Sequence, residues 1–313
     1  MLEQFRSLLR SKALLHTISQ QAIIDNRLRN FKSALERMST AQRQWAFGDH
    51  SVTKLEDLNG LLEKTPDDVA VMQQQLPPYG HFYHGEILVQ NSGSTTSKKS
   101  FPFDIESWLQ YVTPAARGLL ALGVDSTDRI LSTDPGSTQA GYRTPEDAAV
   151  WVCSAQLILD RSVSLSNKIK AINDHGVTVF IANYNKLERM AALKPKFDQP
   201  LKAVINTGMP LKNPKYIADT FGVEWVMDYY GSSEMGNTYY TCQHGHRHVH
   251  DDFVHAVQRD GKTLFSNLSS LPLWNYDLGD RIEYSYKGLC KCGSYLPTVD
   301  LFKTKDYTQI NKG

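Results

Sequence analysis

The run Asp228-Tyr-Tyr-Gly-Ser-Ser-Glu-Met-Gly236 brings two aromatic rings, two serine hydroxyls and two carboxylates together over a few residues. The segment before it, Val223 to Tyr230, reads as a buried strand. Gly231 then permits a sharp turn that presents Ser233 and Glu234 at the strand's carboxyl end, where α/β sheets bind ligands. At that place Tyr230 can stack on a purine and the Ser233 hydroxyl can hydrogen-bond a phosphate. Glu234 offers the hard oxygen that Mg2+ takes. The same residues also make an ordinary strand exit with a polar surface.

A second run lies earlier, Asn91-Ser-Gly-Ser-Thr-Thr-Ser-Lys-Lys-Ser100. Gly93 allows close backbone approach, Ser92, Ser94, Thr95 and Thr96 bring hydroxyls, and Lys98 and Lys99 bring positive charge. This is the composition of an anion cradle. The Walker spacing is absent, and a solvated Ser/Thr linker has the same composition.

Sulfur and imidazole groups form the third set. Cys242 opens Cys-Gln-His-Gly-His-Arg-His-Val-His250, and Cys290-Lys-Cys-Gly293 follows. Two such knuckles suit tetrahedral Zn2+. Several histidines compete for the site, since His246, His248 and His250 share a face of an alternating strand and His244 is also near. A disulfide between neighbouring Cys290 and Cys292 is geometrically poor. Cys153 sits in an apolar run and reads as a core residue.

Together these motifs resemble the adenylate-forming superfamily of acyl and aryl ligases, in its phenylacetate-CoA ligase-like branch. Residues 91 to 99 match the family's phosphate loop, with Thr96 at its second glycine and Lys98 at its proline. Thr207-Gly-Met-Pro-Leu211 matches the adenine-side segment, Tyr230-Gly-Ser-Ser-Glu234 the Tyr-Gly-x-Ser/Thr-Glu motif, and Asn275-Tyr-Asp-Leu-Gly-Asp280 a later motif whose two arginines are missing here. The resemblance covers approximately residues 85 to 313, with the motifs in the family's order.

The resemblance implies ATP, Mg2+ and a structural Zn2+. It implies catalytic roles for Ser233, Glu234 and Lys99, and places Ser92, Gly93, Ser94 and Thr95 around the phosphates. Thr207, Gly208, Tyr230 and Gly231 would surround adenine, and Asp280 would hold the ribose. For zinc it implies Cys242, His248, Cys290 and Cys292, with His244 or His250 as replacements for His248. The expected reaction turns a small carboxylic acid into its adenylate with release of pyrophosphate. The acyl group then passes to coenzyme A, a carrier-protein thiol or an amine. The alternatives are a nucleotidyltransferase that leaves AMP on a cofactor hydroxyl, and a non-catalytic binding or docking homologue.

Lys303-Thr-Lys-Asp306 aligns with the family's hinge, with Asp306 at its aspartate and Thr304 at its arginine, and the sequence closes at Gly313. No residue matches the family's mobile-domain lysine, so a partner protein supplying that domain is one expectation. Losing such a cation costs about two to three orders of magnitude in rate, by analogy with an oxyanion donor.

The elements that must position these groups alternate. The expected class is α/β, with a mostly parallel sheet, a helical amino-terminal platform and a small β-rich, zinc-bearing subdomain. Helices are predicted over residues 1 to 46, with Leu28, Phe31 and Leu35 at three- and four-residue intervals, then over Ser107–Leu122, Pro145–Leu159, Ser164–His175 and Tyr184–Leu193. Strands are predicted at Gly85–Gln90, Arg129–Ser132, Val177–Ala182 and Ala203–Asn206. Interleaving of this kind argues a parallel sheet. The divisions fall at 1–80, a helical region; 81–247, the nucleotide-binding core; 248–301, the β-rich part; and 302–313, a remnant hinge.

A formal net charge of +1 gives no footprint for nucleic acid. No apolar run reaches membrane-spanning length. The amphipathic start has no signal-peptide core and the cysteines cluster as ligands, so a cytoplasmic location is expected.

Overall fold

Strand Ile87–Gln90 (β1) pairs antiparallel with Ser100–Phe103 (β2), Gln90 opposite Ser100. The hydroxyl-rich run therefore links two paired strands, and Lys99 stands at the entry to the second. The computed structural model describes residues 7, 10–75, 87–90, 99–133, 140–152, 155–160, 162–208, 210–268, 273–286 and 288–303. They divide into two compact units, one from residues 1–15, 112–232 and 236–248, the other from 16–111, 233–235 and 249–313. The units interleave along the chain because contacts, not sequence order, define them.

The first unit is built on a mostly parallel sheet. Its strands are Arg129–Ser132 (β3), Ala155–Leu157 (β4), Val179–Asn183 (β5), Ala203–Thr207 (β6), Val226–Ser232 (β7) and Gly236–Thr241 (β8), followed by Arg247–Val249 (β9). The order β4-β3-β5-β6-β7 is parallel throughout, and β8 returns antiparallel on β7. Helices Leu165–Asp174, Tyr184–Ala192 and Pro214–Phe221 join consecutive strands. Leu131, Phe180, Val204 and Val226 meet Leu187, Ile217 and Phe221 in one core. Each such side chain contributes about 1.5–3 kcal/mol by leaving water. On the opposite face of β7, fully buried Tyr229 donates from its hydroxyl to the Ala115 carbonyl at 2.6 Å.

The helix expected over Pro145–Leu159 is corrected to Ala140–Val152, with Pro145 inside it, and its last apolar residues form the edge strand β4. A short apolar run has no period long enough to separate a helical turn from a three-residue strand. The strand expected to end at Tyr230 runs on to Ser232.

The second unit holds helices Gln20–Arg37, Thr40–Phe47 and Pro66–Gln75 and a 3-10 turn at Leu55–Gly60. Ser39 caps the second helix in a reciprocal capping box with Gln42, which satisfies two otherwise orphaned amides. Strands Val254–Arg259 (β10), Lys262–Asn267 (β11) and Tyr276–Asp277 (β12) form an antiparallel sheet, and Asp280–Tyr286 (β13) pairs antiparallel with Thr298–Lys303 (β14). Trp274 anchors the helices here, with ring centroids 5.5 Å from Phe31 and 5.1 Å from Phe47. Phe31 is buried and Leu28 is exposed. The buried apolar stripe of the first helix runs through Ile23, Phe31 and Ala34.

Candidate functional site

Three residues from distant parts of the sequence meet inside the second unit. The Lys99 ammonium lies 3.3 Å from the Glu234 carboxylate Oε1 and donates to the Tyr276 hydroxyl at 3.0 Å. That hydroxyl is itself 3.4 Å from Glu234 Oε1. Lys99 and Glu234 are only 3% and 6% exposed. An ion pair this deep is held by its hydrogen bonds as much as by charge, because desolvation offsets much of the Coulomb gain. Burial first, then the Glu234 carboxylate, pushes the Tyr276 phenol well above its ordinary pKa. It therefore stays protonated and able to donate.

Local structure explains the convergence. Asn275 adopts a positive φ of 52°, a conformation that asparagine tolerates better than most residues. Its buried amide donates to the Leu58 and Leu61 carbonyls at 2.5 and 3.1 Å, which fixes the start of β12 and with it Tyr276. On the other side, Tyr111 donates to the Ser233 carbonyl at 3.0 Å and the Asn267 amide to the Glu234 carbonyl at 3.1 Å. Tyr111 is in turn packed on Phe103 and Trp108. Side chains thus clamp the backbone of the link between β7 and β8.

Thr207, Gly208, Tyr230 and Gly231 lie in the first unit. Thr207 ends β6, and its buried hydroxyl has no hydrogen-bond partner among the described residues. Such a group is costly unless a ligand completes it. Gly208 follows with φ of 91°, a conformation that favours glycine. Tyr230 stacks on Tyr239, with centroids 4.9 Å and planes 17° apart. Gly231 is not the expected turn. It lies within β7 beside a register irregularity, and a Cβ there would come within 2.1 Å of the Gly236 carbonyl. Close strand approach, rather than unusual φ, is what requires glycine.

Asp280 opens β13 and is 6% exposed, and Ser233 is 8% exposed. Ser92, Gly93, Ser94, Thr95, Thr96, Lys98, Cys153, Met209 and the hinge positions Thr304 and Asp306 lie outside the described residues. Tyr276 carried no assigned role in the sequence, although it stands inside a quoted motif. Tyr111, Tyr239 and Asn267 had no local signal at all.

The cysteine motifs fold into two turns of the same design, one in each unit. In the first, the Cys242 amide donates to the His246 carbonyl at 2.9 Å and the Gly245 amide to the Cys242 carbonyl at 2.8 Å. In the second, Cys290 donates to Ser294 at 2.8 Å and Gly293 to Cys290 at 2.9 Å. Both glycines have positive φ, 75° and 86°. Burial sorts the histidines: His248 and His250 are fully buried, while His244 and His246 are exposed. His246 belongs to the turn and so does not share a face with His248 and His250.

Comparison with known proteins places the fold. No family model and no curated protein sequence matches the chain. Among solved structures, 2-hydroxyisobutyryl-CoA ligase in complex with its acyl-AMP and CoA matches with a TM-score of 0.74 at 16% identity, over 91% of this chain and 68% of that one. O-succinylbenzoate CoA synthetase of Bacillus subtilis, in complex with its acyl-adenylate intermediate, matches with a TM-score of 0.55 at 14% identity, over 86% and 78%. The fold is that of the adenylate-forming ligases. No helix among the described residues is long and apolar enough to cross a membrane.

Proposed function

We propose that this chain uses ATP to activate a carboxylic acid as its acyl or aryl adenylate, releasing pyrophosphate, and that the acyl group then passes to a thiol or amine. The observation that carries this reading is the buried meeting of Lys99, Glu234 and Tyr276, made from three separate motifs on an adenylate-forming fold. The structural neighbours, whose names describe acyl-CoA ligases, support it.

In this mechanism a carboxylate oxygen of the substrate attacks the α-phosphorus, and the bond to the departing pyrophosphate breaks. Lys99 and the hydroxyl-rich loop at 92–95 hold the phosphates and neutralise their charge, while Ser233 contacts the α-phosphate. Thr207, Gly208 and Tyr230 hold adenine, and Asp280 the ribose hydroxyls. Catalysis on such a site is positioning and charge stabilisation. Mg2+ suits Glu234, whose carboxylate is a hard oxygen donor already engaged by a cation; when bound it neutralises phosphate charge. Coenzyme A, a carrier protein and a separate protein domain are the partners this reading admits.

We also propose a structural Zn2+ on Cys242, His248, Cys290 and Cys292. The two matching turns support it. Three thiolates and one imidazole close a tetrahedral sphere, which suits structure rather than catalysis.

The test is acid-dependent pyrophosphate release from ATP and Mg2+ with pooled aryl and aliphatic acids, beside a Glu234→Gln control. Release that the control abolishes supports acid adenylation. AMP left on a hydroxyl acceptor would favour nucleotidyl transfer instead. ATP binding without either product would favour a non-catalytic binder.

A further inference from the structure

We infer that Tyr276 is a positioning residue that lets Lys99 and a divalent cation exchange places on Glu234, with Lys99 holding the carboxylate until a triphosphate draws it away. This rests on the adenylating reading above.

The argument starts from one carboxylate with two claimants. Glu234 Oε1 lies 3.3 Å from the Lys99 ammonium, and a hard dication would bind the same group at about 2.0–2.6 Å. Two cations at one buried carboxylate repel strongly, since charges a few ångströms apart inside a protein are poorly screened. Lys99 and the dication therefore compete, unless Lys99 moves to another anion. Lys99 directly follows the hydroxyl-rich loop, so a triphosphate held by that loop would be the anion nearest to it along the chain.

Leaving Glu234 would expose it to the penalty of an uncompensated buried charge. Tyr276 answers this. Its hydroxyl accepts from Lys99 at 3.0 Å and reaches Glu234 at 3.4 Å, so it remains as a donor to the carboxylate once the ammonium leaves. The ammonium also lies 5.7 Å from the Tyr276 ring centroid, which offers a weakly attractive surface along which to withdraw. Asn275 holds the tyrosine in place through the Leu58 and Leu61 carbonyls, so the phenol is the fixed member of the trio.

The experiment uses the full nucleotide-free chain and Mn2+ as the probe, with free Mn2+ counted by electron paramagnetic resonance. Lys99→Met is expected to bind Mn2+ about tenfold more tightly than the unaltered chain, and Glu234→Gln in the same background is expected to erase that gain. Tyr276→Phe is expected to weaken binding of Mn2+ in the presence of ATP by about tenfold. A Lys99→Met chain that binds Mn2+ no better than the unaltered one, or a gain that survives Glu234→Gln, overturns the inference. If Lys99→Met does not fold, the Tyr276→Phe arm decides, and an unchanged metal affinity there overturns it. The nucleotide-free arm uses no acid and no turnover, so absence of pyrophosphate release overturns the adenylating reading without altering that measurement.

Discussion

Tyr230 and Tyr239 are stacked across the antiparallel pair β7 and β8, ring centroids 4.9 Å apart. The tyrosine that the sequence assigned to a purine is therefore already backed by a second ring, which fixes its plane. Tyr230→Ala should weaken ATP binding by about 1–3 kcal/mol, the range for one base–aromatic stack. Tyr239→Ala should cost stability of at least about 0.5–1.5 kcal/mol and a smaller part of the affinity, while Tyr239→Phe keeps both. Titration calorimetry with ATP beside thermal unfolding checks the pattern.

Removing Glu234 should be felt in stability as well as in chemistry. Glu234→Ala leaves the Lys99 ammonium buried without its carboxylate, a change that costs about 3–5 kcal/mol when a deep pair is broken. Glu234→Gln retains a hydrogen-bond acceptor and should cost less, yet should equally abolish pyrophosphate release. Urea unfolding of both variants separates the effects.

Zinc should copurify with the chain in a one-to-one ratio. Cys290→Ser or Cys242→Ser should lose it, and a strong chelator should lower the unfolding temperature of the unaltered chain only. A ligand present at a thousand times its Kd contributes about 4 kcal/mol, so the shift is measurable. His244→Ala should leave metal content intact, because that ring is exposed, whereas His248→Ala should not.

His255 makes stability fall on acidification. Burial, then the neighbouring Arg27 guanidinium, lowers its pKa from 6.5 to about 4, and Arg27 donates to its Nδ1 while also pairing with Asp251 at 2.7 Å. The folded chain thus binds fewer protons at His255 than the unfolded chain between those values. The associated stability is complete above the unfolded pKa and is lost as pH falls from about 6.5 toward 4, up to about 3.5 kcal/mol at 1.4 kcal/mol per unit. His255→Gln should flatten this part of the profile, measured by urea unfolding across the window.

Gly118 is required by the ring of Tyr229. A Cβ at that position would come within 2.1 Å of the Tyr229 hydroxyl and 2.4 Å of its ring. Gly118→Ala should cost about 1–3 kcal/mol through overpacking, and Tyr229→Leu in the same chain should recover part of it. A double-mutant cycle by chemical unfolding measures the coupling.

Much of the fold was legible because hydrophobic pattern is a local property. Arg129–Ser132 and Tyr184–Leu193 could be read directly, since continuous apolar runs and helical spacing need only neighbours along the chain. The end of the Pro145 helix was misplaced for the complementary reason: where a short apolar run stops being helix depends on what packs against it.

The candidate site divides in the same way. Residue chemistry by itself made Ser92, Thr95, Lys99, Ser233 and Glu234 candidates for phosphate and magnesium and the cysteine knuckles candidates for zinc, because charge, hydroxyl content and ligand softness belong to the side chains. Only the tertiary structure decided that Glu234 already holds Lys99, that the Tyr276 hydroxyl touches both, that Tyr230 leans on Tyr239 and that His248 is buried while His244 is exposed. Those relations join residues far apart in sequence, and nothing short of the folded chain brings their atoms within reach.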